Sequence, residues 1–270
     1  MSENQQFDQL LETLKQKNAT RTLNIWIPSL KKGVPFKHLT LEQQKTLIKS
    51  SVRENLLKLD FSRNIYNILK ENNTDNTVNI DKLTIVDLIS IGLAYRAADI
   101  SNEYGFYVGD EFFPVDLNKI CERTRTTDYK NMFQPDTIIA DGYHVTVQIP
   151  TIKVDKQMND HLFEKYQDVP DDPELLRDVL ADVYIHEAAK YITNIDIVEP
   201  GDNPDVEPLQ IDLTVTTAEQ RLDIINQIPL TVLNRLVDVS DKVQEIESLL
   251  LDVDLNGETA TIQLNSAFFT

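Results

Sequence analysis

Metal binding is the chemistry that a short pattern around His186 could support. His186-Glu187 begins an H-E-x-x-H pattern, in which two histidines one helical turn apart bind zinc while the glutamate acts as a base. Position 190 is a lysine, so the second zinc ligand is missing and a cation stands in its place. A metal-dependent hydrolase that uses His186 and Glu187 is therefore only a lesser alternative for the function of this chain.

A second pattern, near the C-terminus, is typical of the start of a calcium-binding loop. Asp252, Asp254 and Asn256-Gly257 match the first half of an EF-hand loop. The twelfth position, which requires an acid that binds calcium through both oxygens, is Gln263. The residues after the loop alternate like a strand, whereas an EF-hand needs a helix there. The pattern therefore predicts a hairpin turn at Asn256-Gly257 rather than a calcium site.

Nucleophilic and acid–base catalysis find little support in the remaining sequence. Cys121 is the single cysteine, and the histidines at 38, 144, 161 and 186 leave a Cys–His pair open without any local evidence for it. The acidic stretches 168–174 and 199–207 are proline-rich, as solvated loops are, and supply no positioned catalytic partner. The nucleotide-binding and nucleophile-elbow motifs are absent. We expect no enzyme, and no catalytic, cofactor-binding or metal residues.

Composition narrows the partners that this chain can have. Its 26 basic and 44 acidic residues give a net charge of −18, which repels phosphate backbones, so we expect no nucleic-acid partner. No stretch approaches the roughly 20 apolar residues that a membrane span needs. A single cysteine permits no internal disulfide and suits a reducing compartment. The acidity has two interpretations: it keeps the protein soluble, or it faces a basic partner surface inside an assembly.

The segment 22–57 predicts a hairpin followed by a long amphipathic helix. Leu23 and Ile25 alternate with polar residues before a polar turn at 31–33. Thr40 and Gln43 form a capping box at the start of the helix. The apolar face of this helix is predicted to consist of Leu41, Ile48, Val52, Leu56 and Leu59.

The middle of the chain predicts a buried helix and a small β region. Residues 83–95 are apolar nearly all round, which is typical of a helix at the centre of a core. Gly109-Asp110 and Asp141-Gly142 predict hairpin turns, the second within a β region that spans 138–154. Residues 121–134 are predicted to form a basic loop between the two hairpins.

Helices predominate again in the C-terminal part. We predict three helices here. The first spans 174–191 and starts at Asp172-Pro173. The second starts at a capping box formed by Thr217 and Gln220, and the third spans 230–251. The predicted fold is α+β, mainly helical, with two or three small antiparallel β patches and a C-terminal β-hairpin. The predicted regions are an N-terminal helix and linker at 1–21, a hairpin with helices and a small β region at 22–195, an acidic proline-rich loop at 196–210, and a helical region ending in a hairpin at 211–270.

Two large aromatics near the C-terminus are a possible partner contact. Phe268 and Phe269 follow the last predicted strand, and such residues are unfavourable when exposed. They are therefore buried either in this chain's own core or against a partner that meets them at the edge of the fold.

Several of these segments together resemble a known family. The run IPSLKKGVPFKHLTLEQQKTLI at 27–48 is similar to the opening of the T4-type phage baseplate hub and hub-assembly family. The segments 83–101, 106–120, 138–150 and 262–264 with Phe268-Phe269 follow in the family's order, so the resemblance covers 22–270. This chain looks longer than typical members. It has Cys121 alone where some members have paired cysteines, so no metal knuckle is implied.

The resemblance implies a structural or assembly component of the contractile-tail baseplate, in the central hub region of a T4-like phage. Its partners would be other baseplate or tail proteins, and no small-molecule substrate is implied. The protein would be found in the virion tail, and in the host cytoplasm during assembly. The alternative within this family is a transient tail or baseplate assembly chaperone that leaves before maturation.

Overall fold

A computed structural model describes residues 3–52, 59–129, 132–166, 173–197 and 209–270. The helices and strands follow the chain in this order: α1 (Glu3–Thr20), β1 (Thr22–Ile27), β2 (Lys32–Lys37), α2 (Leu41–Val52), α3 (Leu59–Asn72), α4 (Ile85–Tyr95), β3 (Glu103–Val108), β4 (Glu111–Asp116), α5 (Leu117–Thr126), β5 (Asp136–Ala140), β6 (Tyr143–Val147), α6 (Ile152–Lys165), α7 (Pro173–Tyr191), β7 (Ile192–Ile197), β8 (Leu209–Asp212), α8 (Ala218–Ile225), α9 (Leu230–Leu251), β9 (Asp252–Leu255) and β10 (Glu258–Thr261). Helices outweigh strands, and the described sheets are small and antiparallel, so the predicted α+β class is confirmed.

The described strands form three hairpins and one larger sheet. β1 pairs with β2, β3 with β4 and β9 with β10, while the larger sheet has the order β5-β6-β7-β8. Every pairing is antiparallel. The loop predicted at 196–210 is wrong at both ends, because Asp196 pairs with Gln210 and Ile197 with Leu209 in the larger sheet. The sheet joins the predicted regions on either side of this loop.

The α4 helix is the centre of the core, as its composition predicts. Eight of its 11 residues are buried. The helix begins with a capping box between Thr84 and Asp87 and packs against β1, α5, α6 and α9. A helix that other elements cover on so many sides has no broad solvent-facing side, which explains why its sequence is apolar nearly all round.

The predicted two-residue hairpin turns are confirmed. Asp141-Gly142 and Asn256-Gly257 have positive φ at both residues, with values of 51° and 81° and of 58° and 98°. That is the conformation of a type I′ turn, whose twist matches that of the strands it joins. Gly109 has a φ of 61° in the turn between β3 and β4.

The first hairpin turns earlier than predicted. Pro28 opens a 3-10 turn over Pro28–Leu30, and Lys31 closes it in the left-handed conformation with a φ of 50°. Lys32 and Gly33, predicted as turn residues, already pair with Ile27 and Trp26 in the sheet. The proline therefore sets this turn, because its fixed φ suits the start of a tight turn.

The apolar face predicted for the following helix is wrong in its first member. The capping box of Thr40 and Gln43 forms as predicted. Leu41, however, is 67% exposed, while Leu47, absent from the predicted face, is fully buried. The described part of this helix ends at Val52, a separate helix begins at Leu59, and Leu56 lies outside the described residues.

The boundaries of the middle region also differ from the predictions. Residues 121–126, predicted as part of a basic loop, belong to α5, because the Asp116 side chain caps this helix. Residues 152–154, predicted in the β region, begin α6, which Thr151 caps. The strand β7 and the strand β8 were not predicted at all. The acidic segment 198–208 and Asp172 lie outside the described residues.

Candidate functional site

The histidine of the incomplete zinc pattern is engaged within the protein. His186 lies buried on α7, with its Nδ1 2.7 Å from the carbonyl oxygen of Asp182 and its Nε2 3.0 Å from Nδ1 of His161 on α6. A carbonyl only accepts, so Nδ1 of His186 donates, and Nε2 of the neutral ring accepts from His161. Burial lowers the pKa of His186, which favours this neutral form. Both ring nitrogens are therefore used by hydrogen bonds.

The lysine that replaces the second zinc ligand is the centre of a buried ion-pair cluster. Nζ of Lys190 lies 2.9 Å from Asp155 and 2.8 Å from the side-chain oxygen of Asn159, and it also pairs with Glu187. Burial alone would lower the pKa of Lys190, but the carboxylates of Asp155 and Glu187 outweigh it and raise the pKa. The cluster ties α6 to α7 and commits Glu187 to a cation. Within the described ranges, no group of three or more His, Cys, Asp or Glu side chains could hold a metal ion.

The carboxylates of the calcium-like pattern serve the C-terminal hairpin. The side chain of Asp254 accepts a hydrogen bond of 2.6 Å from the backbone N–H of Gly257. That of Asp252 accepts one of 2.5 Å from the hydroxyl of Thr261. Both residues lie on β9 and not in a loop that could wrap around an ion. The spacing of Asp252 and Asp254 is therefore explained by their hydrogen bonds in the hairpin.

The single thiol has the properties of a structural residue. Cys121 lies half-buried on α5, and burial raises its pKa to about 11. A thiol with such a pKa is protonated at neutral pH, and the protonated thiol is a poor nucleophile. The environment of Cys121 gives no support for covalent catalysis.

The two aromatics near the C-terminus lie in this chain's own core. Phe268 and Phe269 are buried in the 3-10 segment Ser266–Phe269, with their rings 5.4 Å apart. The ring of Phe268 is 5.3 Å from that of Tyr104, and Gln44 on α2 donates to the carbonyl of Phe269 at 3.1 Å. Of the two ways to bury these rings, the structure has burial in the chain's own core. A partner cannot contact them while the segment stays folded.

Exposed apolar side chains occur instead on α1. Phe7, Leu10, Leu11 and Leu14 follow the helical spacing predicted for an N-terminal helix, and each is between 39% and 60% exposed. They form one stripe, which we call the α1 stripe. Every other α1 side chain whose exposure is described is exposed too.

A second exposed apolar surface was missed in the sequence. Tyr107 and Phe112, on β3 and β4, are 74% and 51% exposed, with ring centroids 5.1 Å apart. Alternation alone groups Phe112 with the inward-facing Phe106. The two-residue turn pairs Val108 with Glu111, so Phe112 falls opposite Tyr107 on the outer face. Turn length, combined with the alternation, was the signal that could have revealed this face.

A groove of about 590 Å³ runs along α9. Its lining is mostly apolar, with Met132, Val243 and Ile246 among its residues. Lys242 and Asp136, also in the lining, lie 3.7 Å apart and are mostly exposed, which is the geometry of a surface ion pair. Among its described lining residues, the groove thus offers apolar space and a surface ion pair.

Comparisons with known proteins found no counterpart. Neither the protein-family models, nor the curated proteins, nor the solved structures gave a match to this chain. None of the helices in the described ranges is both long and apolar enough to cross a membrane.

Proposed function

We propose that this protein is a structural or assembly component of the contractile-tail baseplate of a T4-like phage, in the central hub region. The observation that carries the proposal is the α1 stripe. This helix has 18 residues, about 27 Å in length. Most of the stability of a helix in a protein comes from packing of its apolar face, and a stripe of large exposed apolar side chains favours a partner that covers it. A subunit of a multi-protein assembly has such a partner.

The resemblance to the baseplate family supports the same proposal. The matching segments fall on successive elements: the first hairpin with α2, then α4, then β3 to α5, then β5 and β6, and finally the segment after β10. The resemblance thus follows the order of folded units. Charge fits an assembly role as well, because a subunit with a net charge of −18 stays soluble before it is incorporated.

The two reactive side chains of the incomplete zinc pattern have other tasks, which also supports a non-enzymatic role. His186 is bonded through both ring nitrogens, and Glu187 pairs with Lys190. The geometry therefore lends nothing to the alternative of a metal-dependent hydrolase.

Mass spectrometry of purified virions and of tail assembly intermediates tests the proposal. Presence in both is expected of a structural subunit. Presence in the intermediates alone would assign the protein to the second candidate, an assembly chaperone, whose acidity and exposed apolar surface would serve equally well. Absence from both would overturn the proposal.

A complementation experiment tests the α1 stripe itself. Leu10→Ser/Leu14→Ser removes two exposed leucines, and we expect a folded protein that no longer supports tail assembly. The matched control is Leu230→Ser/Leu249→Ser, which removes two exposed leucines from α9. Equal assembly with both variants would show that the stripe does not carry the interaction.

A further inference from the structure

The β3–β4 hairpin has an inner face that belongs to the core and an outer face that carries exposed aromatics. Tyr104, Phe106 and Val115 point inward and pack with the core cluster. On the other side lie Tyr107 and Phe112, the most exposed aromatics of this hairpin. We call the side that carries Tyr107, Phe112 and Pro114 the aromatic face. Large aromatics at the centre of an interface supply much of its binding energy, so their exposure on one strand pair is informative.

The aromatic face is held in place before any partner arrives. Tyr107 and Phe112 are direct cross-strand neighbours. The ring of Phe112 lies over Gly105, where an added Cβ would come within 2.1 Å of two ring carbons. Glycine at 105 therefore lets the ring lie flat on the backbone of β3, as aromatic rings do when they cover a strand glycine. A ring fixed in this way loses little conformational entropy on binding.

The charged residues of the hairpin all have one sign. From Glu103 to Asp116 the hairpin contains Glu103, Asp110, Glu111 and Asp116 and no lysine or arginine. Glu103, Asp110 and Glu111 are exposed. Four acids within 14 residues, on a chain with a net charge of −18, repel nucleic acid, anionic membranes and a second copy of this chain. They attract lysine and arginine, whose cations also bind to aromatic faces.

We propose that the aromatic face of the β3–β4 hairpin is a docking surface for a basic partner protein, which presents arginine or lysine side chains among aliphatic ones. The aromatic rings provide the apolar contact and the cation–π contact, while Glu103 on the same face and Asp110 in the turn select the sign of the partner's charge. This inference deepens the proposed function and rests on it only for the partner's identity as a neighbouring subunit, because the chemistry of the surface is independent of the assembly.

Binding of two labelled peptides to the purified full-length chain tests the inference. One peptide alternates leucine with arginine and the other alternates leucine with glutamate, at equal length, and fluorescence anisotropy measures their affinities. We expect the arginine peptide to bind and the glutamate peptide to bind at least about tenfold more weakly. Tyr107→Ser/Phe112→Ser should lower the affinity for the arginine peptide about tenfold. Leu180→Ser/Tyr184→Ser, which removes an exposed leucine and tyrosine from α7, should leave its affinity unchanged.

Two further variants keep the test decisive if the double variant unfolds. Tyr107→Ser retains Phe112 over Gly105, and Glu103→Lys/Asp110→Lys retains both rings. Each variant should therefore fold, and each should weaken binding of the arginine peptide. Equal binding of the arginine peptide to the original chain and to these variants would show general attraction to an acidic protein and would overturn the inference. Self-association that disappears in Tyr107→Ser, measured by sedimentation, would identify a second copy as the occupant and overturn it too. These assays use no virions, so their failure is distinct from failure of the proposed function.

Discussion

The carboxylate of Asp87 accepts both the backbone N–H and the hydroxyl of Ser29, at 2.9 and 2.7 Å, and so joins the turn of the first hairpin to the first turn of α4. The same carboxylate accepts the N–H and the hydroxyl of Thr84 at 2.7 and 2.9 Å. Asp87 is fully buried, and burial raises its pKa while the bonds from Ser29 and Thr84 oppose that effect. Four donors around one buried carboxylate make the hairpin and the central helix a single structural unit.

Asp87→Ala should destabilise the protein by about 2–4 kcal/mol, because it removes a helix cap and leaves the buried donors of Thr84 and the half-buried donors of Ser29 without an acceptor. Urea unfolding measures the change. The control Ser29→Ala removes one hydroxyl donor and should cost about 1 kcal/mol. Similar losses for the two variants would mean that Asp87 is merely a local cap.

Lys190→Met should destabilise the protein by about 3–5 kcal/mol, because the buried carboxylate of Asp155 loses its cation. Lys242→Met is the matched control. Lys242 pairs with Asp136 across 3.7 Å on the surface, and such pairs contribute at most about 1 kcal/mol. Urea midpoints that move equally in the two variants would contradict a structural role for the buried cluster.

Stability should fall as the pH drops below 6.5, in part through His186. Burial lowers its pKa from 6.5 in the folded state, so the unfolded chain binds a proton that the folded chain does not. The contribution of neutral His186 to the free energy of unfolding is complete above pH 6.5. It is lost as the pH falls towards the pKa that His186 has in the folded state. His186→Asn retains a donor for the Asp182 carbonyl and should flatten the loss measured by denaturant unfolding between pH 7.5 and 5.5. An unaltered pH profile would show that other groups cause the decline.

Gly257→Val should cost about 1–2 kcal/mol, because a β-branched residue resists the left-handed conformation. An added Cβ meets nothing within 4 Å, so the loss reports backbone conformation and not a steric clash with a neighbour. Gly257→Asn, which tolerates positive φ better, should lose less. Equal melting temperatures for the two variants would mean that the turn relaxes to another type.

Phe269→Ala should destabilise the protein by about 3–5 kcal/mol, since truncation of a fully buried aromatic leaves a cavity. Phe7→Ala, on the exposed α1 stripe, should change the free energy of unfolding by less than about 0.5 kcal/mol. A stable Phe269→Ala variant that fails only in tail assembly would restore the idea of Phe269 as a partner contact.

The features that the sequence predicts correctly are set by neighbouring residues. The caps at Thr40 and Thr217 form with the residue three positions on, and the turn at Asn256-Gly257 needs only its own two residues. The buried helix α4 is equally evident, because its apolar composition is a local property. Short-range chemistry was sufficient for all of these.

The features that it misses depend on partners far away in the chain. Asp87 resembles an ordinary capping residue in the sequence, since its second partner, Ser29, lies 58 positions earlier. The strand β7 continues directly from α7 and becomes a strand by pairing with β6 and β8. The exposed position of Phe112 follows from the pairing register of its hairpin, because one shift of register exchanges the two faces.

During synthesis, α2 leaves the ribosome well before the segment that covers it. Gln44 and Phe269 are 225 residues apart, which corresponds to about 10–45 s of translation. Throughout that interval the inner surface of α2 lacks Phe269, and the ring of Tyr104, once it is made, lacks Phe268. Each new molecule therefore passes through a state with open apolar surface, because the two phenylalanines can insert only after residue 269 has been made. Aggregation, or a helper that prevents it, would act in this interval.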